Sequence, residues 1–182
     1  NLASGAGTDT IIQNPSSNQN VITVNNFTSG TDQIRLDDSE LSTSGALIAG
    51  ATLDLVDGNS ASQGTAGNMN LKELTADTTL AAGDDVVILV GATFADTDAV
   101  ETAMETGAYE ITMATASAQN DALFVVYSDG TDAYLAAVRF AAASPTAAVA
   151  ANELTVVNLV KLAGTTSISA GDFTAGDFYM LA

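Results

Sequence analysis

Cysteine, histidine and tryptophan are absent from the 182 residues, and four bases, Arg35, Lys72, Arg139 and Lys161, stand against 22 acids. Each shortage closes a class of chemistry. Without His or Cys, the common zinc, copper and haem sites lack their ligands. The Ser-His-Asp and Cys-His catalytic arrangements are lost with them. No disulfide can staple the fold, so stability outside a cell must come from packing or from bound calcium. Phosphate recognition needs clustered Lys and Arg, and a net charge of −18 repels nucleic acid and anionic lipid alike. No apolar run approaches the roughly 18 residues that a membrane-spanning helix requires. Aromatics make up only 5%, too few for the stacking surfaces that usually accompany a glycosidase carboxylate pair. No G-x-S-x-G elbow occurs either. The chain is therefore expected not to be an enzyme. It opens on Asn1 with no leader-like segment, which reads as a processed product or the tail of something longer.

What is present favours a folded β protein. Apolar residues account for 47%, enough for one sizeable core or two small domains sharing an interface. Asp outnumbers Glu 16 to 6. Glu is the better helix former, whereas Asp suits turns, caps and hard-cation sites. That bias fits calcium held in Asp-bearing loops, and it fits a solvated acidic surface equally well.

Along the first 36 residues, turn chemistry alternates with short β-branched runs: Ile11-Ile12, Val21 to Val24, and Ile34 to Leu36. Their spacing predicts short strands joined by polar turns. Thr52 to Val56 is a further strand candidate, and Gly58 to Asn68 reads as an exposed loop. The continuous apolar run from Asp85 to Gly91 suits a strand buried on both faces. A helix is expected over 95–106, capped by Asp98, with Glu101 three residues on and Gly107 as its stop. A strand near 109–114 follows. Two alternating runs then flank Asp129-Gly130, which predicts a tight hairpin over 122–140. Residues 141–152 read as loop or short helix, and Leu154 to Leu162 as a strand. At the C-terminus, Gly171-Asp172-Phe173 recurs as Gly176-Asp177-Phe178 before Tyr179-Met180-Leu181-Ala182. A last strand is expected there, placing Phe178, Tyr179 and Leu181 in the core.

Ser4-Gly5-Ala6-Gly7-Thr8-Asp9-Thr10-Ile11-Ile12 fits the nonapeptide G-G-x-G-x-D-x-U-x with Ser in place of the first Gly. Glycines let carbonyls bend toward an ion, and Asp supplies a carboxylate. A degenerate second turn, Asn18 to Ile22, carries amides where a carboxylate is expected. With Val21 to Leu36 added, residues 4–36 resemble the closing segment of repeat-in-toxin (RTX) type secreted bacterial proteins. The resemblance resumes loosely at 122–140 and at the C-terminal tail, which is similar to an uncleaved type I secretion signal. It implies calcium-driven folding outside the cell, export by type I secretion machinery, and calcium facing Gly5, Gly7 and Asp9. Asp32 is a further candidate ligand, with turn-stabilising hydrogen bonding as its alternative role.

The expected fold is mainly β: a small calcium β-roll-like segment at 1–36 leads into a β-sandwich-like or mixed sheet body at 37–182, with one short helix. The expected function is an extracellular or cell-surface structural module that self-assembles into an S-layer, filament or matrix, with calcium as cofactor. Its partners would be copies of itself and the secretion machinery, with no nucleic acid and no membrane span. Two alternatives stand beside it. One is a non-catalytic secretion and folding tail of a larger enzyme or adhesin. The other is a surface ligand- or glycan-binding module using the loops at 57–70 and 141–152.

Overall fold

The computed structural model describes residues 2–3, 7–13, 21–37, 67–81, 83–114, 121–141 and 148–181. The strand expected at Thr52 to Val56 and most of the loop at 58–68 lie outside them, as do the central residues of 141–152. Within the described residues the protein is mainly β with mixed sheets and one short α-helix.

The first four strands are short because polar turn residues interrupt each β-branched run. β1 (Leu2–Ala3), β2 (Thr10–Gln13), β3 (Ile22–Asn25) and β4 (Gln33–Asp37) do not fold back on one another as hairpins. They alternate between two sheets, with β1 parallel to β3 and β2 parallel to β4. The chain thus winds as a two-sheet parallel coil. Two strands from the far end of the sequence complete a third coil: β12 (Leu154–Ala163) lies parallel to β3, and β13 (Phe178–Leu181) parallel to β4. Segment 1–36 accordingly shares both of its sheets with the body.

Register explains why these strands stack. Ile11, Ile34 and Phe178 form one row, and Leu36 and Met180 another, all pointing into the core. The intervening residues Ile12, Arg35 and Tyr179 face outward, as a side-chain period of two requires. Phe178 is therefore buried as expected, but Tyr179 and Leu181 are only half-buried, and Met180 takes the second inward position.

A second coil is built the same way on the other side. β6 (Leu71–Leu74), β8 (Val86–Leu89) and β10 (Ala122–Ser128) run parallel in the large sheet, while β7 (Thr78–Leu80) and β9 (Ile111–Met113) pair in a separate two-stranded sheet. With β11 (Ala133–Phe140), the large sheet has the order β1-β3-β12-β11-β10-β8-β6. One face is covered by β2-β4-β13-β5, where β5 is Gly67–Asn68. The other is covered by β7, β9 and helix α1 (Thr97–Thr106).

β8 shows how the run Asp85 to Gly91 serves this arrangement. Val86 and Ile88 enter the core beneath β2, β4 and β13, whereas Val87 and Leu89 enter the core beneath α1 and β9. β10 divides in the same way, Phe124 and Val126 against Leu123, Val125 and Tyr127. Each such side chain contributes about 1.5–3 kcal/mol on full burial, so a strand buried on both faces anchors two layers at once.

The helix lies where expected, but its cap is Asp96 rather than Asp98. Asp96 has extended backbone, and its Oδ1 accepts the Ala99 amide at 2.9 Å. Asp98 sits in the first turn, where its charge favours the helix dipole. Glu101 does not reach back to the cap; it bonds the Val156 amide instead. Gly107 ends the helix in an extended conformation, and a Cβ there would fall 2.7 Å from the Ala103 Cα. Absence of a side chain, rather than left-handed backbone, is what this position requires.

β10 and β11 form the expected antiparallel hairpin, with Tyr127 opposite Tyr134 and their rings stacked at 5.3 Å. The connection is longer than a two-residue turn. It spans Asp129 to Asp132, and among these only Gly130 has positive φ, at 90°. Asp129 Oδ1 accepts the amides of Thr131 and Asp132, which widens the turn and closes it through the side chain. Gly130→Val should destabilise the fold by about 1–3 kcal/mol, because a β-branched residue resists that backbone region. The shift in urea midpoint at constant slope measures it.

Candidate functional site

The predicted calcium-turn residues gather at one end of the β2-β4-β13 sheet. Gly7-Thr8-Asp9-Thr10-Ile11 and Gly30-Thr31-Asp32-Gln33-Ile34 repeat the pattern G-T-D-x-I, and pairing of Thr10 with Gln33 sets the two patterns in register. Gly7 (φ 149°) is exposed and Asp9 half-buried, whereas Asp32 is only 2% exposed. Gly5 lies outside the described residues. Gly30, with φ at 72°, makes the turn into β4.

Asp32 spends its carboxylate on backbone. Oδ1 accepts the Asp9 amide from the preceding coil at 3.1 Å, and Oδ2 accepts the Thr28 amide at 2.8 Å. Its role in this structure is the turn-stabilising one. The third coil repeats the device through Asp177, which is fully buried. Its Oδ1 accepts the Gly30 amide at 2.6 Å; its Oδ2 accepts the Ser29 hydroxyl at 2.6 Å and the Thr174 amide at 2.7 Å. The second and third coils thus each present a carboxylate to a turn amide of the coil before.

From the sequence, Asp177 belongs to the Gly-Asp-Phe repeat of a terminal strand and tail and is not among the site candidates. The available signal is a Gly-Asp pair before Phe178, which pairs in register with Ile34, although its spacing is G-D-F rather than G-T-D-x-I. The same bond recurs across the other coil: Asp85 Oδ2 accepts the Asn70 amide at 2.8 Å, and Asp77 Oδ1 accepts the Glu110 amide at 3.1 Å.

Among the described residues, no group of three or more acidic side chains is arranged to hold a metal ion. Beside the turns lies an open polar hollow of about 200 Å³, lined by Thr8, Thr10, Thr31, Gln33, Arg35 and Thr174 among others. The Arg35 guanidinium stacks on the Tyr179 ring at 4.9 Å, and its Nε donates to Gln33 Oε1 at 2.7 Å. The groups present suit hydrogen bonding to a polar surface ligand.

The electrostatics are sharpest at the hairpin tip. Lys161 Nζ lies 2.5 Å from Asp132 Oδ2 while the Gly164 amide donates to Oδ1. Lys161 and that amide hold the Asp132 carboxyl below its usual range. Burial works against ionised Asp129, but the Asp132 and Thr131 amides and the Tyr134 hydroxyl outweigh it and lower its pKa too. Burial pushes the Tyr127 phenol up to about 12, and its hydroxyl donates to Asn158 Oδ1 at 3.0 Å.

The sign of the pH dependence follows. Carboxyls lowered in the folded state contribute stability that is complete above their ordinary pKa and lost as pH falls through the folded values. Lys161, raised chiefly by its bond to Asp132, loses its contribution only as pH rises through its own raised value. Stability should therefore hold at neutral pH and decline below about pH 4. Asp132→Asn should flatten part of that acid limb in urea titrations at stepped pH. Asp177→Ala should cost about 1–3 kcal/mol at neutral pH, since it removes the shared acceptor of the Gly30 and Thr174 amides and the Ser29 hydroxyl, read again from the urea midpoint.

Comparison of this chain with family models, with curated proteins and with solved structures finds no match.

Proposed function

We propose that this chain is a non-catalytic, extracellular structural module that associates with further copies through the outer coil formed by β1 and β2, with calcium promoting the association. One observation carries the reading: stacked coils whose turns are joined by carboxylate-to-amide bonds, with β1 and β2 outermost in the strand orders of their sheets among the described residues. Such a coil is a repeating unit, and outer strands are the usual place for strand addition. Ile12, 56% exposed on β2, supports the same face. Calcium would act twice, by reducing repulsion between chains of net charge −18 and by ordering the turn that holds Gly7 and Asp9. The resemblance of residues 4–36 to RTX closing segments adds export by a type I apparatus and a cell-surface location.

A second reading has its own support. The C-terminal strands β12 and β13 complete the coil begun by β3 and β4. That arrangement would suit a folding tail that closes a longer secreted coil, with any activity residing elsewhere.

Light scattering and negative-stain microscopy across a calcium series at fixed ionic strength separate the two. Polymers or a lattice that chelation disperses are expected, with monovalent salt a poor substitute. A chain that stays monomeric at high concentration in millimolar calcium leaves the folding-tail reading. Asp9→Ala should also diminish the calcium-dependent gain in Tm, because a ion bound only by the native state adds RT ln(1 + [L]/Kd). Identical calcium titrations in wild type and variant would remove Asp9 from the site.

A further inference from the structure

The outward face of the β2-β4-β13 sheet carries a guanidinium that the fold holds in place and leaves without a carboxylate. Register sets Ile12, Arg35 and Tyr179 in one outward row across the three coils. Gln33, beside Thr10, is the outward residue preceding Arg35 on β4. Gln33 Nε2 donates to the Gly176 carbonyl at 2.8 Å, which turns Gln33 Oε1 toward Arg35, where it accepts Nε at 2.7 Å. The Tyr179 ring supports the guanidinium from one side. With Nε committed, the two Nη groups form an end-on fork that has no acceptor among the described residues.

Carboxylates lie close by, but their oxygens are taken. Asp32, which lines the same hollow, accepts the Asp9 and Thr28 amides. Asp177 accepts the Gly30 and Thr174 amides and the Ser29 hydroxyl. Lys161, by contrast, has its ion pair with Asp132. In a chain of 22 acids and four bases, Arg35 is thus an oriented base with no ion pair among the described residues. Orienting a long side chain before a ligand arrives removes part of the entropic cost of binding it. An Arg fork matches the two oxygens of a planar carboxylate.

The remaining lining indicates what bears that carboxylate. Thr8, Thr10 and Thr31 are exposed, and their hydroxyls make no hydrogen bond among the described residues. A hydroxyl both donates and accepts, so three of them around one fork match several ligand hydroxyls beside one charge. The hollow, about 200 Å³, is smaller than the roughly 300–1,000 Å³ of pockets for drug-sized ligands, which suits a single ring. Arg35 is the only base among the described residues that line it, so one negative charge is matched and a second is not. We propose that this hollow binds a sugar acid, the Arg35 fork taking its carboxylate and the Thr8, Thr10 and Thr31 hydroxyls its ring hydroxyls. An acidic side chain from another copy would fill the fork but leave the threonines unused. The site requires neither calcium nor self-association.

The test titrates galacturonate into isotope-labelled protein in calcium-free buffer at fixed ionic strength, followed by amide chemical shifts. Saturable shifts are expected at Thr10, Thr31, Gln33 and Arg35. The methyl ester of galacturonic acid lacks the charge, and acetate lacks the hydroxyls; each should bind about tenfold more weakly or worse, the order of the hydrogen bonds lost. Arg35→Lys keeps the charge without the fork and should weaken galacturonate by a similar factor. Thr31→Val leaves Arg35 in place and should weaken galacturonate several-fold but not acetate, which keeps the test open if the Lys variant fails to fold. Absence of saturable shifts overturns the proposal, as does unchanged galacturonate affinity in either variant. Acetate or inorganic phosphate binding as tightly as galacturonate overturns it in favour of a simple anion site, open to an acidic side chain of another copy. Trigalacturonate separates the two sources of the ligand: tighter binding than galacturonate assigns the hollow to a residue within a polysaccharide, and equal binding to the free sugar acid, the proposal standing in both cases.

Discussion

The bond between an aspartate carboxylate and the turn amide of a neighbouring coil is the interaction on which this architecture rests. A parallel coil brings its turns together at the sheet ends, where backbone amides run out of strand partners. Asp32 and Asp177 meet those amides, and Asp85 and Asp77 do so on the other coil. This recasts the acidic surplus. Part of the net −18 is held against oriented N–H dipoles rather than against cations, of which the chain has only four.

The large sheet converts these local bonds into one structure. Both of its faces are covered, so its central strands read as continuous apolar runs and belong to two cores at once. Loss of packing in either layer strips one face of β8, β10 and β11. The layers are thus coupled through shared strands rather than joined at a separable interface.

Much of this was legible in the sequence. β2, β3, β4, β8, β12 and the β10-β11 hairpin follow from β-branched runs bounded by turn residues, and α1 from its caps. What the sequence left open was where each strand goes next. A Gly-Asp turn ends a strand equally well whether the chain reverses into a hairpin or crosses to the opposite sheet, so the alternation of β1 to β4 between sheets left no local mark. Asp96 stands before the helix and Asp98 in its first turn, and only backbone geometry identifies Asp96 as the cap. The Asp129-Gly130 pair indicated a turn but not its length, because Asp129 closes it with its side chain. Asp177 was hidden for the same reason as the coils: its donors, Ser29 and Gly30, lie far away in sequence. Gly5 and the Thr52 to Val56 run fall outside the described residues.

The third coil has a consequence for how the chain folds. β3 and β4 find parallel neighbours in β12 and β13, at the opposite end of the sequence. Closing so long a loop precedes any reward from the contacts it makes, and folds dominated by distant pairings form slowly. Ser29 and Gly30 meet Asp177 only once the last strand is in reach. During synthesis the early strands are therefore made long before their neighbours exist, and the order of assembly in space runs against the order of synthesis in time.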